Sequence, residues 1–155
     1  MLCIGIDPAF RAGGFSLCII DGSKVTFKTF KNGFLGFCNW FYNDSPPAAV
    51  VCVENSNLTA ASFDTKGSKF VIAKKARDVG KNQAISQNTA DLCATKYKMI
   101  NVTPKQKGKK WNKETFSRVL ENEGHQIEKK RTNQDERDAY KLALIALKKP
   151  FLIEN

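Results

Sequence analysis

The sequence predicts an α/β fold built on a mixed five-stranded sheet, an antiparallel meander joined to parallel strands, with helices on its faces. Three observations carry this. Residues 2–6 and 48–53 are short apolar runs with no polar side chain on either face, the pattern of strands covered on both sides. Residues 15–20 and 24–30 flank Asp21-Gly22, the strongest short hairpin signal in the chain. Segments with apolar residues at three- and four-residue spacing alternate with the remaining strands, as expected where helices cover a sheet.

Element by element, the first run ends in Asp7 and passes into the turn-rich Pro8-Ala-Phe-Arg-Ala-Gly-Gly14. A strand end followed by a turn is a place where a side chain reaches solvent and ligands. The segment 24–30 alternates polar and apolar residues, so it pairs antiparallel with 15–20 and exposes one face. Asn32 can cap a helix with Phe34, Leu35, Phe37, Cys38, Phe41 and Tyr42 inward, stopped by Asp44-Ser-Pro-Pro47. The second buried run then ends in Glu54. Residues 55–75 lose all periodicity and read as a mobile loop or lid, with lysines interleaved with Phe63 and Phe70. Residues 76–96 are expected to be helical and 97–102 a strand. Residues 112–121 form a helix with Phe116, Val119 and Leu120 inward. His125, the only histidine, has no visible partner and reads as a surface residue. In the last helix Thr132 and Asp135 have capping-box spacing, and Asp135, Asp138, Ala139, Leu142, Ala143 and Ala146 share one stripe.

The length of 155 residues fits a single domain over 1–155, and 42% apolar with 26% charged residues is the composition of a globular protein. Lys and Arg total 25 against 15 Asp and Glu, a net +10 that points to a polyanion, most simply nucleic acid. The five cysteines lie mostly within apolar runs without zinc-binding spacing, which suits buried thiols in a reducing cytosol. No leader pattern opens the chain and no apolar run is long enough for a membrane span, so a soluble cytoplasmic protein with no membrane partner is expected.

The chemistry lies in the acids. Two buried strands joined by a crossover that includes a helix should run parallel, which brings Asp7 and Glu54 to the same sheet edge. Adjacent carboxylates repel unless a cation or proton lies between them. Asp138 sits on the apolar stripe of the last helix, a costly place for an unpaired charge. Four carboxylates from two strand ends and one helix can hold two Mg²⁺ ions, for which Mn²⁺ may substitute, and such a pair supports phosphodiester hydrolysis. The cations offer a grip on phosphate: Lys105, Lys107, Lys109, Lys110 and Lys113 crowd one segment that follows a strand end. Lys74, Lys75, Arg77 and Lys81, together with Phe63, extend the basic and aromatic character expected of a DNA-binding surface.

Gly5-Ile-Asp-Pro8, Glu54 closing an apolar strand, Pro104 followed by Lys107-Gly108 and Lys113, and Asp135-Glu-Arg-Asp-Ala139 resemble, in that order, the motifs of the RuvC family of Holliday junction resolvases. The resemblance spans nearly the whole chain. It implies a ribonuclease H-like fold, with Asp7, Glu54, Asp135 and Asp138 as metal ligands and Lys107, with Lys113, near the scissile phosphate. It further implies a homodimer that nicks opposed strands of four-way DNA junctions, in a bacterial cell or a phage-infected host. The chain departs from the cellular members in lacking an aromatic residue directly after Glu54, and its basic loop is richer in lysine. The short chain is similar to phage-encoded members. The same acids could serve a ribonuclease H acting on RNA–DNA hybrid, and the scaffold could also carry a non-catalytic basic DNA-binding protein.

Overall fold

In a computed structural model that describes residues 1–59 and 66–149, strands β1 (Cys3–Asp7), β2 (Phe15–Asp21) and β3 (Lys24–Phe30) form the expected antiparallel meander. β4 (Val50–Glu54) lies parallel to β1, and β5 (Lys98–Val102) parallel to β4. The sheet has six strands rather than five. A two-residue strand, β6 (Gln126–Ile127), adds parallel to β3 and gives the order β5-β4-β1-β2-β3-β6. Two residues are too few to show a side-chain period, which is why the sequence gives no sign of it.

The two apolar runs become the central parallel pair, and their side chains alternate between two cores. One core holds Cys3, Cys52, Ile100 and Val102 beneath α4 (Lys113–Glu123) and α5 (Gln134–Lys148). The other holds Ile4, Ile6, Val51 and Val53 beneath α1 (Phe34–Asn43) and α2 (Lys69–Ala94). Phe15, Phe30, Phe37, Trp40 and Phe41 form a connected aromatic group in the second core, with Phe15 stacked on Phe37 at 5.0 Å. The aromatic spacing of α1 is therefore packing, although Leu35 and Tyr42 face solvent rather than the core. The helix begins at Gly33, whose positive φ of 59° suits glycine, and no side chain caps it, contrary to the Asn32 expectation.

Of the expected loop 55–75, residues 60–65 lie outside the described residues, and the flanks on either side are structured. Asn55 is buried, its backbone N–H donates to Val102 O at 2.8 Å, and its side chain reaches Gln87 at 3.1 Å. A 3₁₀ turn over Ser56–Leu58 follows, and α2 starts at Lys69, seven residues before the expected start. No residue in the N-terminal half of α2 is buried, and of its apolar side chains only Ile72 and Val79 are half-buried, so the apolar stripe there is sparse. All five cysteines are free thiols; Cys38 is half-buried and the other four are buried. Among the described residues no helix is long and apolar enough to cross a membrane.

Candidate active site

Strand alternation sets the first pair of acids. On β1, Cys3 belongs to the core under α5 and Ile4 and Ile6 to the opposite one, so Asp7 projects on the α5 side. On β4, Val50 and Cys52 against Val51 and Val53 place Glu54 on that same side. The register pairs Ile6 with Val53, so Asp7 and Glu54 come next on neighbouring strands, roughly 4.8 Å apart in backbone spacing.

α5 brings the other pair. A Cβ on Gly5 would stand 2.1 Å from Ala139 O and 2.2 Å from Ala143 N, so the helix backbone rests directly on β1 where only a hydrogen fits. This close approach lowers the N-terminal end of α5 onto the strand ends that carry Asp7 and Glu54. Asp138 is buried there, with Oδ1 accepting from Gln134 Nε2 at 2.8 Å, while Asp135 one turn earlier keeps some solvent access. The helix start lies one residue beyond the expected Thr132 and Asp135 pair. Asn133 caps it, and Glu136 completes the capping box with bonds of 2.8 and 3.0 Å. Asp135 is thereby left free of capping.

Lys107 completes the cluster. Thr103 and Gln106 form a capping box around Pro104, fixing the short turn α3 (Pro104–Lys107), and Gly108 ends it at φ 82°. The Lys107 side chain is only 9% exposed; its Nζ contacts Glu54 Oε2 and lies 3.3 Å from Asp138 Oδ2. Burial works against its charge, but Asp7, Glu54 and Asp138 outweigh this and hold its pKa above the ordinary lysine value. Burial likewise pushes Asp7 up to about 8, opposed by Lys107 and reinforced by Glu54, Asp138 and Asp135. Asp135 is raised by burial and by Asp138, against Lys110 and Lys107.

The rest of the lysine segment is stitched to α5 by two side chains that the sequence pattern did not single out. Arg137 Nε donates to Trp111 O at 3.0 Å and Nη1 to Thr132 O at 2.8 Å. Lys141 Nζ donates to Lys109 O at 2.6 Å and lies 4.8 Å from the Trp111 ring centroid. Lys105, Lys109, Lys110 and Lys113 point outward around the cluster and stay exposed. Lys74, Lys75, Arg77 and Lys81 lie apart, on α2; Lys74 pairs with Asp78 at 3.2 Å and Lys81 covers the Phe10 ring. Phe63 lies outside the described residues. His125 does have a partner: its Nδ1 and the Tyr140 hydroxyl are 2.7 Å apart, with the tyrosine ring buried.

The donor chemistry suits Mg²⁺, since all four groups are hard oxygen ligands. Glu54 Oε2 is buried, and the group it meets there is the Lys107 ammonium. Among the described residues no three Asp, Glu, His or Cys side chains close into a ready ligand group. Instead a cation from the chain itself, the Lys107 ammonium, stands between Glu54 and Asp138.

No family model matches the chain, and no curated protein matches its sequence. Among solved structures it is similar to T. thermophilus RuvC in complex with Holliday junction substrate, with a TM-score of 0.56 and 13% identity over 99% of this chain and 98% of that one. At that identity the likeness shows a RuvC-like α/β fold.

Proposed function

We propose that the chain is an endonuclease that resolves branched DNA, four-way junctions foremost, by metal-dependent phosphodiester hydrolysis. The observation that carries this is the gathering of Asp7, Glu54, Asp135 and Asp138 around Lys107 at one sheet edge. The fold it shares with a protein solved on a Holliday junction directs the reading toward branched DNA.

In this reading the four acids hold two Mg²⁺ ions, with Mn²⁺ able to substitute. When bound, the metals supply Lewis-acid stabilisation of charge at phosphorus and lower the pKa of the attacking water. The acids are fixed by the strand register and by the seating of α5 on Gly5, which sets their geometry before substrate arrives. Lys107 releases its carboxylates and turns its charge toward the phosphate, where it offsets negative charge that develops in the transition state. The exposed lysines at 105, 109, 110 and 113 hold the DNA backbone by phosphate contacts and carry no sequence information. A two-fold homodimer provides the second site needed to nick both opposed strands, matching the near two-fold symmetry of a junction.

The test is a substrate panel. Purified protein in Mg²⁺ is expected to cut four-way junctions ahead of flaps, linear duplex and RNA–DNA hybrid. Preferential cutting of hybrid would move the assignment to ribonuclease H, and binding without cutting of any substrate would make the chain a DNA-binding protein.

A further inference from the structure

The run Glu128-Lys-Lys-Arg131 precedes α5 and plays no part in the site described above. Its three cations divide. Lys129, itself exposed, is neutralised by an ion pair with the buried Glu136 at 2.6 Å. Lys130 and Arg131 remain exposed and, with Lys113, line an open groove of about 280 Å³. Phe116, Leu120 and Ile127 floor it, and Ser117 and Thr132 add hydroxyls. No carboxylate lines this groove, and among the described residues no ion pair joins an acid to Lys113, Lys130 or Arg131.

We infer that this groove is a second phosphate-binding track, which holds the sugar–phosphate backbone of a DNA arm after it leaves the acid cluster. The inference rests on the branched-DNA reading. Unneutralised cations on two walls fit a polyanion, and a guanidinium can engage a phosphate through two parallel hydrogen bonds. An apolar floor beneath hydroxyls and cations matches a strand that presents sugar faces between charged phosphates, since most protein–DNA hydrogen bonds go to phosphate and sugar. Continuity with the site argues for the same DNA rather than an acidic protein. Arg137 bonds both Thr132 O, at the head of the groove, and Trp111 O, just before Lys113, and it lies on the helix that carries Asp135 and Asp138. Backbone passing over the acids therefore meets Lys113, Lys130 and Arg131 next.

The experiment measures affinity of the full chain for a labelled immobile four-way junction across a salt series, in Ca²⁺ to suppress cutting. For Lys130→Ala/Arg131→Ala, the slope of log K against log salt should become shallower by roughly 2, one phosphate for each cation. Binding should weaken some tens of fold at about 0.1 M salt and approach wild type near about 1 M. Lys96→Ala/Lys98→Ala, at the far edge of the sheet, should bind as wild type. Wild-type affinity and slope in the groove variant, with wild-type protein still cutting the junction in Mg²⁺, would overturn the groove and leave the function standing. An equal loss in both double variants would reduce the groove to general surface charge and also overturn it. If wild-type protein binds no DNA, groove and proposed function fall together; if it binds without cutting, only the function falls and the slopes still decide the groove.

Discussion

At the residue scale the site turns on one lysine. Lys107 is the counter-charge of a buried acid cluster, so Lys107→Ala leaves Glu54 and Asp138 uncompensated. Removing one partner of a buried pair costs about 3 kcal/mol, and urea unfolding of the metal-free variant should show a loss of that order. Mg²⁺ should recover part of this in the variant, because a ligand that binds only the folded state stabilises it. The nicking rate should still fall by on the order of 100-fold, as for loss of one donor aimed at developing charge. His125 gives a pH prediction. Burial lowers its pKa, and Lys148 also lowers it while Glu123 opposes. A group depressed in the folded state contributes stability that is present above its ordinary value of about 6.5 and is lost as pH falls through the lowered value. Unfolding midpoints at about pH 7.5 and about pH 5 should therefore differ more for wild type than for His125→Asn, whose amide can still meet the Tyr140 hydroxyl. The acids were legible from strand ends and helix spacing. The His125–Tyr140 contact was not, because the partners are fifteen positions apart and meet only once α5 is seated.

At the scale of elements the seating of α5 on β1 is decisive. Gly5→Ala drives a methyl into two backbone atoms of the helix, neither of which can turn aside as a side chain could. Overpacking of this kind costs typically 1–3 kcal/mol, and backbone contacts at 2.1 and 2.2 Å place this variant at the upper end, about 3 kcal/mol in urea unfolding. Cutting should fall too, since the helix carries half of the acids. A variant with wild-type stability and activity would show that the helix does not rest on the strand as described. The central strands could be read because they are buried on both faces, and the hairpin because Asp21-Gly22 announces it. The start of α2 is hard to read because its first half buries no residue and only Ile72 and Val79 of its apolar side chains are half-buried, and the last helix starts one residue on because Asn133 and Glu136 repeat the Thr132 and Asp135 spacing. The roles of Arg137 and Lys141 depend on where the lysine segment folds back, which no local pattern encodes.

At the scale of the molecule, charge and symmetry join the parts. The net +10 and the outward lysines around the acids predict junction binding that weakens steeply with salt, and the proposed two-fold dimer would double both charge and cutting sites. Light scattering should therefore give the mass of two chains. The central claim, that the four acids form the cutting centre of a junction resolvase, is met most directly by mapping nicks on a four-way junction in Mg²⁺ with wild type and Asp7→Asn. Wild type should nick two opposed strands at symmetry-related positions, and Asp7→Asn should bind the junction as tightly yet leave it uncut. Near-normal nicking by Asp7→Asn would contradict the account.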